Sequence, residues 1–308
     1  MGPEAFHHGK FMPLADANVG IMTHALHYGT SVFEGIRGNW NPDDRKIHIF
    51  RAKDHYARFL KGCHVMMIKI PYTEDELVQL TIEMVERSGY REDIYIRPLG
   101  FKGAEKVADL RLNNLEDKFA LFPIPFGQYL DVNTAISCCI ASWRRIDDTM
   151  IPTRVKISGH YVNSVLAKTD ATLAGFDEAI FLTMDGHVCE GTGENIFMVV
   201  GDKLITPPAS DNALPGITRD TVMKLGIDEL GIETIERSVD RTELYLADEV
   251  FLTGTAAHLT PVGQIDKRAI GNGEIGSVTK ALQGLYFDVI RGKNNKYLNW
   301  CTSVTPSI

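Results

Sequence analysis

The sequence is organised around the stretch Pro152-Thr153-Arg154-Val155-Lys156-Ile157-Ser158-Gly159-His160-Tyr161-Val162-Asn163, near the middle of the chain. Its Lys156 lies between a β-rich run and a predicted helix, and we expect it to be a Schiff-base nucleophile. An amine attacks a carbonyl only when it is unprotonated, so such a site needs a dry pocket or a nearby cation. Arg154 would point the same way as Lys156 only if the segment stays extended. The alternative is a solvated lysine near the start of a helix.

The composition of the 308-residue chain indicates a globular protein, with 44% apolar and 23% charged residues. A chain of this length can bury one large core or two modest ones, and we expect two domains. The formal net charge of -8 and the lack of a long basic run argue against nucleic acid or an anionic membrane as a partner.

Three further features exclude other classes of protein. No apolar run reaches the roughly 18 residues of a membrane span. The first residues lack the apolar core of a secretory signal, so we expect a cytoplasmic protein. Five cysteines without Cys-x-x-Cys spacing predict reduced, buried thiols rather than disulfides or a zinc site. His24 and His27 have no evident third ligand nearby, and we therefore expect no metal.

Periodicity and punctuation predict the elements along the chain. One helix begins with the capping-box pair Thr73 and Glu76 and ends at Gly89. Residues 102–117 lack periodicity and are predicted to form a loop, and the run Pro123-Ile124-Pro125-Phe126-Gly127 is expected to break any element and to mark a domain boundary. Strands and helices mix irregularly, which predicts an α+β protein. The other predicted elements are a hairpin at 6–13, strands at 47–50, 93–99, 119–124, 134–141, 178–183, 195–200, 203–206, 233–238 and 249–253, and helices at 51–66, 158–174, 217–230, near 244 and at 277–290.

Tyr95 and Arg97 share one face of the predicted strand at 93–99, opposite Ile94 and Ile96. Two polar groups that face the same way indicate the wall of a ligand site. A solvated sheet edge is the alternative.

Two turns have the composition of an anion site. Leu214-Pro215-Gly216-Ile217-Thr218-Arg219-Asp220 contains a glycine turn directly before a helix, where free amides and the positive end of the helix dipole suit a phosphate. Gly254-Thr255-Ala256-Ala257 follows a strand, and its small side chains leave the amides accessible. Ordinary helix punctuation and tight packing are the respective alternatives.

A third motif, Glu190-Gly191-Thr192-Gly193-Glu194-Asn195, has two carboxylates four residues apart, followed by apolar residues. At least one of these carboxylates is expected to point inward, although a solvent-facing loop explains the pattern equally well. An inward carboxylate that faces a heterocyclic nitrogen keeps that nitrogen protonated and makes the ring a better electron sink. A lysine, an acid and two anion-ready turns together fit a phosphorylated aldehyde cofactor bound as an imine.

These motifs closely resemble those of the branched-chain-amino-acid aminotransferases, in the class IV, fold type IV pyridoxal-phosphate-dependent family. The resemblance covers nearly the whole chain, including the order of the motifs. It rests on Tyr28-Gly29-Thr30-Ser31-Val32-Phe33-Glu34-Gly35-Ile36-Arg37, Tyr95-Ile96-Arg97-Pro98, Lys156, Glu190-Gly191-Thr192-Gly193-Glu194-Asn195, Leu214-Pro215-Gly216-Ile217-Thr218-Arg219 and Gly254-Thr255-Ala256-Ala257.

The resemblance implies an α+β class IV aminotransferase fold with two domains. A small N-terminal α/β domain is expected at 1–124, an interdomain linker at 125–131 and a larger C-terminal pseudo-barrel domain at 132–308, which would carry the Schiff-base lysine. Pyridoxal 5'-phosphate would lie between the domains. The protein would be a homodimer or a higher homo-oligomer, with a partner that lends residues to the pocket.

The same resemblance implies the residues that bind the cofactor. Lys156 would form the Schiff base and carry the proton between the substrate's α-carbon and the cofactor. Glu190 would face the pyridine nitrogen, and Tyr161 the phenolate oxygen. The phosphate would be held by Arg58, by the amides of Ile217 and Thr218, and by Thr255.

For substrates, the resemblance implies an α-carboxylate held by Tyr95 and the turn Thr255-Ala256-Ala257. An apolar pocket would be walled by Tyr28, Phe33, Phe126 and Tyr161, and glutamate's second carboxylate would be received by Arg97, Tyr129 and the partner subunit's Tyr28. The chain departs from many relatives at Phe126, where they have tryptophan, and at the segment Gly103-Ala104-Glu105-Lys106-Val107-Ala108-Asp109, which lacks their Gly-Met-Gly-Val-like loop.

We therefore expect reversible transamination between leucine, isoleucine or valine and 2-oxoglutarate. A D-amino acid or (R)-amine transaminase of the same fold is the first alternative, and Tyr95 with Arg97 favours the branched-chain interpretation. A non-catalytic protein, in which Lys156 is only a salt-bridge partner, is the second.

Overall fold

A computed structural model gives the structure of the chain and describes residues 3–127 and 129–307. Contacts between residues divide the chain into two compact units. The first unit comprises Met1–Gly127, Val155–Gly159 and Asp288–Ile308, and the second comprises Gln128–Arg154 and His160–Phe287.

Both units contain helices and strands, as an α+β protein does. The strands are β1 (Glu4–His7), β2 (Lys10–Pro13), β3 (Ser31–Phe33), β4 (Ile36–Asn41), β5 (Lys46–Phe50), β6 (Ile94–Lys102), β7 (Asp117–Pro125), β8 (Ile136–Arg144), β9 (Glu178–Leu182), β10 (Val188–Gly191), β11 (Asn195–Val200), β12 (Lys203–Thr206), β13 (Thr234–Glu236), β14 (Glu249–Gly254), β15 (His258–Ile265), β16 (Arg268–Ala269) and β17 (Cys301–Val304). The α-helices are α1 (His24–Tyr28), α2 (Ala52–Val65), α3 (Glu74–Ser88), α4 (Tyr161–Leu173), α5 (Ile217–Leu230), α6 (Arg241–Leu246) and α7 (Ser277–Ile290). Short 3-10 helices cover Leu14–Asp16, Leu112–Asn114, Ser158–His160, Ala209–Asp211 and Asn295–Trp300.

The first unit is built on an antiparallel sheet of 8 strands in the order β17-β5-β4-β6-β7-β1-β2, with β3 paired to β6. Helix α2 buries an apolar stripe that contains Tyr56, Phe59 and Cys63. The capping box at Thr73 is present, and Gly89 ends α3 in the left-handed conformation. These boundaries confirm the sequence prediction for α3. The caps supply hydrogen bonds for backbone groups at the helix ends that have no partner within the helix.

The run Pro123-Ile124-Pro125 was expected to break any secondary-structure element, and that prediction was wrong. Both prolines lie in β7, with Pro123 opposite Ile96 and Pro125 opposite Ile94 of β6. The pairing of β7 with β1 ends at Leu121. Beyond that residue, no strand in the described ranges pairs with the other edge of β7, so a residue without an N–H costs no ladder hydrogen bond there.

The predicted domain limits, 1–124, 125–131 and 132–308, remain a prediction. Gln128 of the predicted linker lies outside the described residues, as do Met1, Gly2 and Ile308. The contacts differ from the prediction in that two segments of the predicted C-terminal domain, Val155–Gly159 with Lys156 and Asp288–Ile308, group with the first unit.

The second unit is built on a mixed sheet of 9 strands in the order β10-β9-β8-β15-β14-β11-β12-β13, with β16 paired to β15. Strand β8 is parallel to β9 and β15, and β12 is parallel to β13. Parallel neighbours need a crossover connection, which α4 provides between β8 and β9 and α5 provides between β12 and β13. Helix α4 buries Ala167 and Ala171 in a cluster with Phe181 of β9.

None of the helices in the described ranges is long and apolar enough to span a bilayer. Among the same residues, no group of three or more histidine, cysteine, aspartate or glutamate side chains is arranged to hold a metal ion.

Candidate active site

The predicted site residues divide between the two units. Those of the first unit are Tyr28, Phe33, Arg58, Tyr95, Arg97, Phe126 and Lys156, and those of the second are Tyr129, Tyr161, Glu190, Ile217, Thr218, Thr255, Ala256 and Ala257.

Lys156 is anchored by its main chain to residues 29–33 of the first unit. Its carbonyl oxygen accepts a hydrogen bond from the amide of Phe33 at 3.1 Å, and the amide of Gly159 donates to the carbonyl of Gly29 at 3.2 Å. The lysine is half-buried. These bonds fix the backbone from which the amine projects.

Gly29 allows this close approach. Its φ is 65°, and a Cβ built there would lie 2.7 Å from the Cα of Gly159. A side chain would therefore both strain the backbone and push the lysine segment away. Next to it, the Ser31 hydroxyl donates to the Ser158 hydroxyl at 2.7 Å.

The ring of Phe33 lies beside an amine and a guanidinium. The Nζ of Lys156 lies 5.1 Å from the ring centroid, and the guanidinium carbon of Arg97 lies 4.4 Å from it. Nη2 of Arg97 donates to the Tyr95 hydroxyl at 3.2 Å, which confirms that these two side chains share a face. The buried Nε of Arg97 has no hydrogen-bond partner among the described residues. A buried donor of this kind suits an anionic ligand group.

Phe126 packs against Tyr95 with ring centroids 5.1 Å apart. The guanidinium carbon of Arg37 lies 5.1 Å from the Phe126 centroid, and its Nη2 donates to the carbonyl of Gly127 at 3.0 Å. Arg37 is 4% exposed and forms an ion pair with Asp93 at 3.6 Å. Phe126 is thus held between the predicted carboxylate-binding tyrosine and a buried arginine.

Tyr28 lies against the segment 103–109. Its hydroxyl accepts a hydrogen bond from the amide of Ala108 at 2.9 Å, and its ring centroid lies 4.5 Å from that of His24. The amide of His24 donates to the carbonyl of Ala104 at 2.9 Å. Helix α1 and the segment 103–109 are therefore joined by hydrogen bonds. This segment is the one in which the chain departs from the family pattern.

Arg58 projects from α2 and grips a buried carboxylate. Its Nε donates to Oε1 of Glu34 at 2.7 Å and its Nη2 to Oε2 at 2.8 Å. The arginine side chain is 15% exposed, whereas that of Glu34 is 0% exposed. The Arg58 side chain thus reaches the surface of the first unit, and its two hydrogen bonds to the buried Glu34 fix its orientation.

Arg154 forms an ion pair with Asp148 at 3.5 Å and is half-exposed. Residues 153 and 154 form a turn, so the segment is not extended and the condition for a cation directed at Lys156 is not met. Tyr161, in the same predicted motif, is the half-buried first residue of α4.

Glu190 receives three donors in the second unit. Its Oε1 lies 3.0 Å from Nη2 of Arg145, and its Oε2 accepts from Nδ2 of Asn195 at 3.2 Å and from the amide of Leu214 at 3.0 Å. The side chains of Arg145 and Glu190 are 8% and 7% exposed. A charged donor and two neutral ones stabilise an ionised carboxylate in this buried setting.

The start of α5 is tied to the same carboxylate. Gly216 is the N-cap, and a Cβ built there would lie 2.0 Å from Oδ1 of Asn195. The helix continues with Ile217 and with the buried Thr218. The first amides of a helix have no intrahelical acceptor, so this turn combines the dipole and the donors that an anion needs.

The turn Thr255-Ala256-Ala257 connects β14 to β15 between the paired residues Gly254 and His258. A Cβ on Gly254 would lie 3.4 Å from the carbonyl oxygen of Gly193. The motif Gly254-Thr255-Ala256-Ala257 and the motif that runs from Glu190 to Asn195 are therefore neighbours within the second unit.

Glu194 belongs to a second carboxylate group. Glu178 accepts hydrogen bonds from Lys168 at 2.6 Å and from Thr192 at 2.7 Å. Burial, and then the charge of Glu178, raises the pKa of Glu194 to about 8. The Nζ of Lys168 lies 5.8 Å from the ring centroid of Tyr129, so Tyr129 borders this group.

The roles of four ionisable residues were not predicted from the sequence. Arg145 and Arg37 are buried cations, and Glu34 is a buried acid that His55 contacts at 2.8 Å. The available signal was a charged residue beside a glycine or at the end of a strand, which is common in loops as well.

Comparisons with known proteins identify the family and the fold. The family model described as amino-transferase class IV matches residues 31–265. A probable branched-chain-amino-acid aminotransferase of Aquifex aeolicus is 47% identical over 97% of this chain and 96% of its own length.

Solved structures are similar over nearly their whole length. The branched-chain aminotransferase of Thermoproteus uzoniensis with norvaline has a TM-score of 0.93 and 39% identity, covering 98% of this chain and 99% of its own. The T.th. branched-chain amino acid aminotransferase complexed with N-(5'-phosphopyridoxyl)-L-glutamate has a TM-score of 0.91 and 39% identity, with 98% of each chain covered. These findings confirm the resemblance and the predicted α+β class IV fold, and the chain belongs to the class IV aminotransferase family.

Proposed function

We propose that the chain catalyses pyridoxal-phosphate-dependent transamination between branched-chain L-amino acids (leucine, isoleucine and valine) and 2-oxoglutarate. The observation that carries the proposal is that one aromatic ring borders both an amine and a guanidinium, with Lys156 and Arg97 both within 5.1 Å of the Phe33 centroid. An apolar ring next to an amine suits a branched side chain. The arginine beside it suits the second carboxylate of glutamate.

The residues fit pyridoxal 5'-phosphate. The half-buried Lys156 would bind its aldehyde carbon, and Glu190, with three donors of its own, would face the ring nitrogen. The amides of Ile217 and Thr218, at the start of α5, would hold the phosphate. The remaining proposed cofactor contacts are Arg58, Tyr161 and Thr255. When bound, this cofactor supplies a ring that accepts electron density from the substrate's α-carbon.

The chain's own groups would move and hold the protons. Nζ of Lys156 would take a proton from the substrate's α-carbon as a general base and would deliver it to the cofactor's former aldehyde carbon as a general acid. Glu190 would stay ionised beneath Arg145 and would keep the ring nitrogen protonated. Ring walls at Phe33 and Phe126 would exclude water from the reacting carbon.

The proposed substrate contacts use the same side chains. Tyr95 and the turn Thr255-Ala256-Ala257 would hold the α-carboxylate, and Tyr28, Phe33, Phe126 and Tyr161 would surround an apolar side chain. Arg97 with Tyr129 and the partner subunit's Tyr28 would bind the second carboxylate. Two structural relatives support a pocket of this dual kind, since one is complexed with norvaline and the other with a phosphopyridoxyl derivative of L-glutamate.

A substrate panel on the purified full chain tests the proposal. The chain is mixed with pyridoxal phosphate, and the visible absorbance is followed as L-leucine, L-glutamate, D-alanine or an (R)-arylamine is added. We expect a visible band that L-leucine and L-glutamate discharge faster than the other two amines do. Faster discharge by D-alanine or the arylamine would favour the alternative substrates, and the absence of a band would contradict the cofactor.

We further propose a cytoplasmic homodimer. All five cysteines are free thiols, which suits a reducing compartment. Exposed apolar side chains of the first unit include Ile21, 79% exposed, and Leu26, 60% exposed, and a second copy of the chain would cover them. Light scattering coupled to gel filtration tests the assembly, and a mass of one chain, 34.3 kDa, would contradict it.

A further inference from the structure

Glu34 is the most completely buried acid in the first unit's candidate site, and no predicted role uses it. It follows β3 directly and is 0% exposed. Its carboxylate accepts from Arg58 through both oxygens, at 2.7 and 2.8 Å, and from Nδ1 of His55 at 2.8 Å. The amide of Gly35 also donates to it, at 3.3 Å.

The charges of this cluster are well defined. Burial alone would raise the pKa of Glu34, but Arg58 and then His55 hold that pKa well below its ordinary value. Burial lowers the pKa of His55, so the imidazole is a neutral donor rather than a second cation. A buried charge is expensive unless it is paired, and here the pair is one carboxylate and one guanidinium. The cluster therefore presents a single fixed ion pair.

The same two residues, Phe33 at the end of β3 and Glu34 after it, connect Arg58 to Lys156. The amide of Phe33 donates to the carbonyl of Lys156 at 3.1 Å, and the carboxylate of the next residue, Glu34, grips Arg58. The amide of Glu34 donates to the carbonyl of Pro98 of β6 at 3.0 Å, which fixes this dipeptide to the sheet. One rigid dipeptide thus holds the backbone of the lysine and the head group of the arginine.

Two hydrogen bonds to one carboxylate also fix the orientation of the Arg58 guanidinium. A guanidinium is planar, so bonds from Nε and Nη2 to one carboxylate leave no rotation about the fork. An unrestrained arginine side chain loses rotamer entropy when it binds a ligand. Glu34 removes that loss in advance, because the side chain is already ordered before any anion arrives.

We propose that Glu34 is a positioning residue, which orders Arg58 in register with Lys156 so that one chain segment fixes both the phosphate end and the aldehyde end of pyridoxal phosphate. The inference rests on the proposed function, since it assumes that Arg58 contacts the cofactor's phosphate. It adds a specific expectation, namely that loss of the Glu34 charge weakens phosphate binding and leaves aldehyde binding intact.

The test compares two ligands that differ only by the phosphate. Dissociation constants of pyridoxal phosphate and of pyridoxal are measured by absorbance titration of the cofactor-free full chain, for the wild type and for Glu34→Gln. We expect the constant for pyridoxal phosphate to rise about tenfold or more and that for pyridoxal to change less than about twofold. In an Arg58→Ala background, Glu34→Gln should add nothing further, because the two residues act through one contact.

A matched control breaks another buried ion pair of the first unit. Asp117 pairs with Lys102 at 2.7 Å, and the lysine side chain is 1% exposed. Asp117→Asn and Glu34→Gln should both lower the unfolding temperature, but Asp117→Asn should leave the affinity for pyridoxal phosphate at the wild-type value. A drop in affinity equal to that of Glu34→Gln would show that any local destabilisation suffices, and it would overturn the proposal.

A second variant covers the case in which Glu34→Gln does not fold. Arg58→Lys keeps the positive charge but cannot span both oxygens of Glu34, and we expect the same selective loss for pyridoxal phosphate. Wild-type affinity in Arg58→Lys would overturn the inference, as would equal losses for both ligands in Glu34→Gln. A wild-type chain that binds no pyridoxal phosphate overturns the proposed function and this inference with it, whereas a Glu34→Gln chain that binds it like the wild type overturns the inference alone.

Discussion

Phe33 contacts Lys156 twice, once through its backbone and once through its ring. The Phe33 amide donates to the lysine's carbonyl at 3.1 Å, and the Phe33 ring centroid lies 5.1 Å from the lysine's Nζ. The two contacts restrict both the position of the lysine backbone and the direction of its amine. An amine guided in this way by an apolar ring has the fixed approach that a covalent nucleophile needs.

Replacement of Lys156 by alanine removes the proposed nucleophile and proton carrier together. We expect turnover with L-leucine to fall on the order of 10³-fold or more. Borohydride reduction followed by peptide mapping should label the wild type at position 156 and leave the variant unlabelled. Lys53→Ala is the control, because that side chain is 67% exposed and should be silent in both assays. Wild-type turnover in Lys156→Ala, or a label at another lysine, would contradict the assignment.

Arg97 should separate the two substrates. Arg97→Met keeps a long side chain on the Phe33 ring but removes the charge and the hydrogen bond to Tyr95. A hydrogen bond between charged groups contributes about 1.5–3 kcal/mol, so we expect kcat/KM for 2-oxoglutarate to fall roughly 10- to 100-fold. The value for L-leucine should change less than about threefold, because an apolar side chain makes no use of the charge.

Steady-state kinetics with both substrates measure this ratio. Arg111→Met is the matched control, since that arginine side chain is 71% exposed and pairs with the nearby Asp109. Equal losses for leucine and 2-oxoglutarate in Arg97→Met would mean that the arginine supports the structure of the pocket and does not recognise the second carboxylate.

Arg145→Met should destabilise the second unit and slow turnover. Removing one partner of a buried ion pair leaves the other charge uncompensated, which costs about 3–5 kcal/mol. The lost partner lies 3.0 Å from Glu190, and the donors from Asn195 and Leu214 carry no charge. Urea unfolding should detect the loss, and the visible band of the bound cofactor should shift because the proposed partner of its ring nitrogen changes.

The control for Arg145 is the exposed pair of Arg241 with Asp266, at 2.7 Å in the same unit. The Arg241 side chain is 49% exposed, so Arg241→Met should cost less than about 1 kcal/mol. If Arg145→Met cost no more than the control, Glu190 would not depend on this arginine for its charge.

Local rules predicted much of the fold. The boundaries of α3, α5 and α7 follow from caps, glycine ends and helical periodicity, and each lies within one residue of its prediction. The strands β4, β15 and β17 were missed. Strand β17 pairs with β5, about 250 residues earlier in the chain, and no local pattern records so distant a neighbour.

The candidate site shows the same division. Motifs in continuous sequence, such as Glu190 to Asn195 and the start of α5, were found because composition and spacing carry them. The ion pair between Glu34 and Arg58 was not predicted, because the two residues are 24 residues apart and neither has a distinctive pattern in its own segment. Pro123 and Pro125 misled for a related reason, because only the pairing of strands reveals that one edge of β7 needs no donor there.

The stability of the chain should fall as pH rises, because Glu194 keeps its proton in the folded state. Its pKa is raised from 4.5 to about 8 by burial first and then by the charge of Glu178, which accepts hydrogen bonds from Lys168 and Thr192. The unfolded chain releases this proton near pH 4.5 and the folded chain only near pH 8. Between these values the folded state binds more protons than the unfolded state, so the free energy of unfolding decreases with pH by about 1 kcal/mol per unit from this group.

Glu194→Gln tests this expectation, because the amide keeps the shape of the neutral acid and cannot ionise. We expect the variant to lose less stability than the wild type between pH 5 and pH 9, and to unfold a few degrees Celsius higher at pH 9. Thermal unfolding followed by circular dichroism across that range measures the difference. Glu243→Gln is the contrasting variant, since Arg237 holds the pKa of that carboxyl below its usual range and its contribution is already complete above pH 5. Parallel stability curves for the wild type and Glu194→Gln would mean that Glu194 is ionised in the folded protein, and the buried pair with Glu178 would then need a second cation.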